Sequence, residues 1–225
     1  MSKSKNQKPF IALYIILIVI DIVISLKRPD LRVITKPLIV GSLLYFFFRQ
    51  QKRLDKGFFR LTFAALALSL MGDILLLFEE NNELFFIGGL GAFLLAHVCY
   101  CIAFIKHWNK KTTAVFGFIL VGLLAYAVSF FMLLKPNLGE LFIPVAVYIL
   151  VILTMMVTAL KRQGKTSRDS FVWVSTGALL FVISDSLLAV NKFLTELPAP
   201  VLWIMSTYAL AQLFIALGLL KHRPA

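Results

Sequence analysis

Long apolar stretches separated by short polar segments dominate the chain. Most of them reach the ~20 residues that a helix needs to cross a ~30 Å hydrocarbon core, although the second is short. Because lipid offers no partner for backbone N–H and C=O groups, each stretch is predicted to be a helix. The eight stretches cover residues 10–26, 36–48, 61–78, 84–105, 115–134, 141–160, 171–190 and 201–220.

This pattern predicts an all-α fold, a polytopic membrane helix bundle of about eight transmembrane helices, with residues 1–225 forming a single integral membrane domain. The composition agrees, because 60% hydrophobic residues, 15% charged residues and a mean hydropathy of +0.89 exclude an ordinary soluble domain. The segment Ser2-Lys3-Ser4-Lys5 resembles the start of a signal peptide. No small-residue cleavage site follows and Asp21 interrupts the run, so a retained first helix is expected.

The net charge of +12 is distributed unevenly. Of the 23 Lys and Arg residues, 17 lie in the N-terminus, the second-to-third, fourth-to-fifth and sixth-to-seventh connections and the C-terminus, and 6 lie in the opposite connections. The positive-inside rule then places both termini in the cytoplasm, and the expected location is the bacterial cytoplasmic (inner) membrane. Because the basic charge orients the helices, no nucleic-acid partner is expected.

Two aspartates lie in similar apolar surroundings. Asp73 is 12 residues beyond Leu61 and Asp185 is 14 beyond Phe171, which places them roughly 18 and 21 Å from the same edge of the membrane. A carboxylate inside a membrane helix costs about 2.5 to 3.5 kcal/mol even on the lenient insertion scale. A purely structural role is the weaker alternative, since Asn or Ser would fill it at lower cost. The pair therefore indicates a functional site.

The sequence around these aspartates suggests an internal repeat. Helices four apart in sequence keep the same orientation, so two parallel four-helix repeats would be related by an axis along the membrane normal. Chance similarity in a Leu-rich sequence is the alternative. The matching strings are Gly72-Asp73-x-Leu75-Leu76 with Ser184-Asp185-x-Leu187-Leu188 and Ala96-His97 with Ala211-Gln212, and the proposed halves are 10–105 and 115–220.

Other polar residues accompany the aspartates. Lys36 precedes Pro37 at the start of the second stretch, where proline is favoured at the first helical position, and its amine is expected near the outer glycerol level. Further candidates share helix faces by their i, i+3 or i+4 spacing, and together they would line one cavity opening toward the outer leaflet. These are His97 with Tyr100, Tyr208 with Gln212, and Asn191 at the end of the seventh stretch.

Each of these residues also has an ordinary structural interpretation. Lys36 lies near a helix end, where snorkelling or an interfacial ion pair is common. Tyr100 and Tyr208 suit an interfacial belt, and His97 and Gln212 suit hydrogen bonds between helices.

No cofactor is expected, and no metal site is implied. The histidines His97, His107 and His222 do not form an obvious zinc site, because the last two are predicted at helix ends and His97 in mid-membrane. The His-Glu-x-x-His and Cys-x-x-Cys signatures of metal and redox sites are missing from the sequence.

Five strings along the chain begin at Thr35-Lys36-Pro37-Leu38, Gly72-Asp73-Ile74-Leu75-Leu76, Phe93-Leu94-Leu95-Ala96-His97, Gly177-Ala178-Leu179-Leu180 (continuing to Phe193) and Tyr208-Ala209-Leu210-Ala211-Gln212. In their order and spacing, they resemble those of the YhhN-like lysoplasmalogenase family of polytopic membrane vinyl ether hydrolases. The resemblance implies a membrane hydrolase that acts on a lysophospholipid substrate in the bilayer. It would cleave the vinyl ether bond of lysoplasmenylethanolamine or lysoplasmenylcholine to a fatty aldehyde and glycerophosphoethanolamine or glycerophosphocholine.

The chemistry of that reaction suits the two aspartates. A vinyl ether is hydrolysed by protonation at carbon, which gives an oxocarbenium ion that water captures, so an acid and a carboxylate are needed. Asp73 and Asp185 are the expected catalytic residues, with the assignment of acid and base left open. Lys36 is expected to receive the lipid phosphate, and the alternative is that it pairs with an aspartate and holds that aspartate's ionisation state. The other candidate substrate-binding residues are His97, Tyr100, Asn191, Tyr208 and Gln212.

Two other functions fit the same residues. A small proton- or solute-coupled membrane transporter using Asp73 and Asp185 is the first, because repeated halves with midplane carboxylates also occur in transporters. A structural or assembly protein whose aspartates pair with Lys36 is the second. The oligomeric state is left open.

Overall fold

The computed structural model describes residues 7–51 and 54–221, so Ser2-Lys3-Ser4-Lys5 and His222 lie outside the described residues. Eight helices in this part of the chain are long and apolar enough to span a membrane, which confirms the all-α, multi-pass prediction. The protein is thus an integral multi-pass membrane protein. The helices are α1 (Gln7–Lys27), α2 (Arg32–Phe48), α3 (Lys56–Leu76), α4 (Glu83–Ile105), α5 (Ala114–Leu134), α6 (Phe142–Leu160), α7 (Arg168–Phe193) and α8 (Pro200–Leu220).

The start of α2 corrects one prediction. The helix was expected to begin at Lys36, but it begins at Arg32 and follows a 3-10 turn at Pro29–Leu31. Pro37 therefore lies inside the helix, just past the first turn, where its missing N–H removes a single backbone hydrogen bond. Lys36 lies about 6 Å further along the helix axis than predicted. The other seven helices agree with the predicted stretches, with end shifts of at most five residues.

The chain forms two compact units, divided after Ala96 inside α4. In the first unit, α1 packs on α2 and α2 packs on α3. Stacked aromatic rings join these helices, with Phe10 on Phe46 at 3.9 Å and Phe47 on Phe59 at 5.7 Å between ring centroids. The predicted repeat halves and the cytoplasmic placement of the termini stay predictions.

The second unit is built on the close packing of α7 against α8. Glycine allows this approach, because a Cβ atom at Gly177 would lie 2.9 Å from the backbone oxygen of Ala211. A Cβ atom at Gly218 would likewise lie 2.9 Å from the backbone nitrogen of Val174. Small residues at such a contact let membrane helices meet backbone to backbone. The packing holds α7 between α8 and α6, and α7 carries Asp185.

Candidate functional site

In the first unit, Asp73 lies opposite Lys36. The two side chains extend from α3 and α2, and the Lys36 Nζ lies 3.8 Å from the Asp73 Oδ1. Both residues are buried, with 2% and 8% of their surfaces exposed. Gly72 precedes Asp73 because a Cβ there would lie 2.7 Å from the Phe93 ring, so only glycine lets α4 approach α3 at this point. The ammonium and the carboxylate thus offset one another's burial cost.

A second carboxylate of this unit, Asp21 on α1, is also held by α2. The Thr35 hydroxyl donates a hydrogen bond of 2.6 Å to its Oδ1, and the Arg32 Nη2 lies 3.6 Å from its Oδ2. Asp21 is fully buried. The sequence prediction missed Arg32 and Thr35 because it started the helix at Lys36. With the helix starting at residue 32, Arg32, Thr35 and Lys36 lie on one face of α2 by their i, i+3, i+4 spacing.

In the second unit, Asp185 is held by α6 and lies beside α4. The Tyr148 hydroxyl donates a hydrogen bond of 2.5 Å to the Asp185 Oδ2. The His97 Nε2 lies 4.0 Å from the same oxygen. The Asp185 side chain keeps 15% of its surface exposed, whereas His97 is fully buried. A carboxyl group, a phenol and an imidazole therefore meet in one place, all of them groups that exchange protons.

The ring of His97 packs against two aromatic rings. Its ring meets those of Phe181 and Tyr148 edge-on, at centroid distances of 4.6 and 5.5 Å. Within the described residues, neither imidazole nitrogen has a hydrogen-bond partner. A buried polar group without a partner costs about 1 to 3 kcal/mol. His97 therefore carries an unused donor and an unused acceptor next to Asp185.

A chain of polar side chains continues from α4 to α8. The Tyr100 hydroxyl donates to the Gln212 Oε1 at 2.7 Å, and the Gln212 Nε2 donates to the Tyr208 hydroxyl at 3.4 Å. All three side chains are buried. The Phe181 ring joins this chain to His97, because its edge also meets Tyr208 at 5.5 Å between centroids. We call these seven residues the Asp185 cluster: His97, Tyr100, Tyr148, Phe181, Asp185, Tyr208 and Gln212.

Asn191 has a different setting. Its Oδ1 accepts a hydrogen bond of 3.0 Å from the backbone N–H of Leu197, in the connection between α7 and α8. No hydrogen bond among the described residues joins Asn191 to the Asp185 cluster. The visible role of Asn191 is to shape this connection, and its role in substrate binding stays a prediction.

Tyr148 was missed by the sequence analysis, although the predicted repeat contained the signal. Lys36 precedes Asp73 by 37 positions, and Tyr148 precedes Asp185 by the same 37 positions. In the first unit a polar side chain of α2 contacts the aspartate of α3, and in the second unit a polar side chain of α6 contacts the aspartate of α7. Applying the offset between the aspartates to Lys36 leads directly to Tyr148, while the duplication itself stays a prediction.

The groups next to the two aspartates are ones that carry charge or exchange protons. Among residues 7–51 and 54–221, no group of three or more His, Cys, Asp or Glu side chains is placed to hold a metal ion. The two aspartates differ instead in their neighbours, an ammonium for Asp73 and a phenol with an imidazole for Asp185.

Comparisons with known proteins show the family of the chain. The sequence profile of the YhhN family matches residues 31–219. The chain is 34% identical over 165 residues to a Bos taurus protein named lysoplasmalogenase TMEM86A, covering 72% of this chain and 65% of that one. A Mycobacterium bovis protein named lysoplasmalogenase is 33% identical over 161 residues, with 68% of this chain and 58% of that one covered.

A human protein named lysoplasmalogenase TMEM86B is 33% identical over 165 residues, with 73% of this chain and 66% of that one covered. The aligned part of the chain thus spans less than two thirds of the length of each of these three relatives. No solved structure gives a significant match.

Proposed function

Because the chain belongs to the YhhN family, we propose that it is a membrane-embedded hydrolase that cleaves the vinyl ether bond of lysoplasmalogens. The names of its relatives support this substrate class. The proposed products are a fatty aldehyde and glycerophosphoethanolamine or glycerophosphocholine. The observation that carries the proposal is the contact of Asp185 with Tyr148 and His97 inside the second unit.

The reaction adds one water molecule across the vinyl ether. A proton adds to the carbon distal to the ether oxygen, and the positive charge that results is shared between the other carbon and the oxygen. Water attacks that carbon and loses a proton, which gives a hemiacetal. The hemiacetal then breaks its bond to the glycerol oxygen and leaves as the aldehyde. The enzyme must supply a proton donor at carbon and a negative group near the cation.

Asp185 is the proposed general acid. Its contacts with a phenol and an imidazole place proton-exchanging groups on the carboxyl, so that it can be protonated again after each turnover. Its partial exposure leaves room for a substrate carbon beside it. Tyr148 is a positioning residue in this account, because its hydrogen bond fixes the orientation of the carboxyl group.

Asp73 is the proposed anionic carboxylate. The Lys36 ammonium at 3.8 Å stabilises a negative charge on it inside the bundle. A carboxylate held ionised in this way stabilises an oxocarbenium ion or takes a proton from the attacking water, as in glycosidases. Each role follows from the contacts of one aspartate within its own unit.

His97 is the proposed partner of the reacting oxygen atoms. Its two ring nitrogens, both without partners among the described residues, match a water molecule and the ether or glycerol oxygen. The hydrogen bonds from Tyr100 to Gln212 and from Gln212 to Tyr208 hold α8 beside this position. The glycerol part of the lysolipid is proposed to lie beside these polar side chains.

The test is a matched pair of substrates. Purified protein in lipid nanodiscs is incubated with lysoplasmenylethanolamine and with its saturated alkyl-ether analogue, and aldehyde is measured. Aldehyde is expected from the vinyl ether only, because the saturated ether has no carbon that can accept a proton. Absence of aldehyde from both, together with proton flux when the protein is placed in liposomes, would favour the transporter instead.

A further inference from the structure

A cleft of about 580 Å³ lies at one end of the second unit, away from the Asp185 cluster. It is formed by the connections 106–113 and 161–167 and by the adjoining ends of α5, α6 and α7. Its lining includes the cations Lys111 and Lys161 and the apolar residues Phe116, Ile119 and Phe171. Asp185 lies 14 positions beyond Phe171 on α7, or about 21 Å along the helix. The cleft and the cluster share no residue.

Lys161 is the central polar group of the cleft. It is only 5% exposed, and its ammonium donates to the Lys111 carbonyl at 2.9 Å and to the Thr112 hydroxyl at 3.1 Å. The Phe116 ring lies 4.5 Å from the same nitrogen. An ammonium has three donors, and two of them have hydrogen-bond partners among the described residues. None of the ion pairs formed within the described residues involves Lys161.

Arg162, which follows Lys161, is a second buried cation. Arg162 is fully buried and donates to the Ser170 hydroxyl at 3.0 Å, while its Nε and Nη1 have no partner among the described residues. Burial lowers the pKa of the Arg162 guanidinium to about 10, so it is still a cation at neutral pH. The segments 106–113 and 161–167 together contain six Lys and Arg residues and no Asp or Glu. Buried cations without counter-ions are costly, and they attract an anion.

The wall of the cleft indicates what kind of anion this is. Val115 and Ile119 on α5 line the cleft and are 68% and 41% exposed. They continue onto the apolar outer face of α5, where Phe118 is 78% exposed. Inorganic phosphate would leave this apolar wall uncovered, whereas an acyl chain would cover it. Basic pockets between membrane helices are known to bind anionic lipid headgroups.

We propose that this cleft binds an anionic phospholipid of the surrounding leaflet, with the phosphate on Lys161 and an acyl chain along Val115, Phe116 and Ile119. The bound lipid supplies the negative charge that the two connections lack. It also ties the α4–α5 connection to the α6–α7 connection. This site is separate from the proposed hydrolase site and does not depend on it.

Native mass spectrometry of the delipidated full chain in detergent tests the proposal, with phosphatidylglycerol and phosphatidylcholine of equal chain length as probes. Phosphatidylglycerol is expected to bind more tightly, and Lys161→Gln is expected to weaken it roughly tenfold. Ile119→Trp, which fills the apolar wall, should weaken it as well. Lys135→Gln, an exposed lysine beyond the other end of α5, is the matched control and should change nothing.

Equal binding of the two lipids, or phosphatidylglycerol binding that Lys161→Gln leaves unchanged, would overturn the proposal. Inorganic phosphate that displaces phosphatidylglycerol at matched concentration would overturn the lipid assignment in favour of a simple anion site. If Lys161→Gln does not fold, Lys161→Arg and Ile119→Trp test the proposal instead. The proposal is supported if Lys161→Arg still prefers phosphatidylglycerol to phosphatidylcholine and Ile119→Trp binds phosphatidylglycerol more weakly. Unchanged phosphatidylglycerol binding in Ile119→Trp contradicts it.

Discussion

Replacing Lys36 by glutamine tests whether this lysine acts through Asp73 or on the lipid phosphate. The Lys36 Nζ lies 3.8 Å from the Asp73 Oδ1. At an effective dielectric constant of ~20 this separation corresponds to an attraction of about 4 kcal/mol. Hydrogen-bond donors that rearrange around Asp73 will recover part of this attraction. The Asp73 carboxylate is therefore expected to lose about 2 to 4 kcal/mol of stabilisation. That loss corresponds to a decrease in kcat of about 30- to 1000-fold.

The assay is aldehyde release from lysoplasmenylethanolamine at several substrate concentrations, with the protein in nanodiscs. Because Lys36 is proposed to stabilise the negative charge of Asp73 and not to bind the lipid phosphate, kcat should fall while KM changes less than about threefold. Lys135→Gln, in the connection between α5 and α6, is the matched control and should retain wild-type values. An unchanged kcat with a clearly raised KM in Lys36→Gln would refute this reasoning and establish phosphate binding.

Thermal unfolding of the same variants gives an independent check. Lys36→Gln leaves a buried carboxylate without its ammonium, which typically costs about 3 to 5 kcal/mol of stability. The double variant Lys36→Gln with Asp73→Asn removes both charges and should regain most of that stability while remaining inactive. A double variant as unstable as the single one would show that the pair does not carry this energy.

Other predictions concern the remaining groups of the site. Asp73→Asn and Asp185→Asn should each lower kcat at least ~100-fold in a protein that still inserts into membranes, and wild-type turnover in either would remove its catalytic role. Tyr148→Phe should lower kcat about 10- to 100-fold at unchanged KM because it removes a hydrogen bond to a carboxylate, whereas the exposed Tyr45→Phe should match the wild type. Dialysis against EDTA should leave aldehyde release intact, and a loss that zinc alone restores would mean that His97 had been misinterpreted.

The positions of the helices were predictable from the sequence because the bilayer imposes one requirement on every span. A stretch of apolar residues in lipid has to satisfy its own backbone, so its length and composition determine the helix. The predicted start of α2 was wrong because the sequence does not distinguish a proline one turn inside a helix from a proline at the first helical position. The 3-10 turn at Pro29–Leu31, which begins the helix earlier, carries no apolar signal.

The two aspartates were predictable for a similar reason, since a carboxylate within a span is costly wherever it lies. Tyr148 was not, because a tyrosine in an apolar helix is usually a packing residue. Its role becomes clear only from its hydrogen bond to Asp185. Lys161 and Arg162 were missed because the positive-inside rule already explained their charge, and sequence does not show that they are buried.

Hydrolysis in deuterium oxide tests the central claim most directly, namely that the protein delivers a proton to the vinyl carbon. The aldehyde is reduced to the alcohol as it forms, and authentic aldehyde treated in the same way measures exchange. One deuterium at the carbon next to the former carbonyl is expected in the wild-type product, with product formation nearly abolished in Asp185→Asn. Aldehyde without deuterium at that carbon, or equal product from Asp185→Asn, would contradict proton transfer from Asp185.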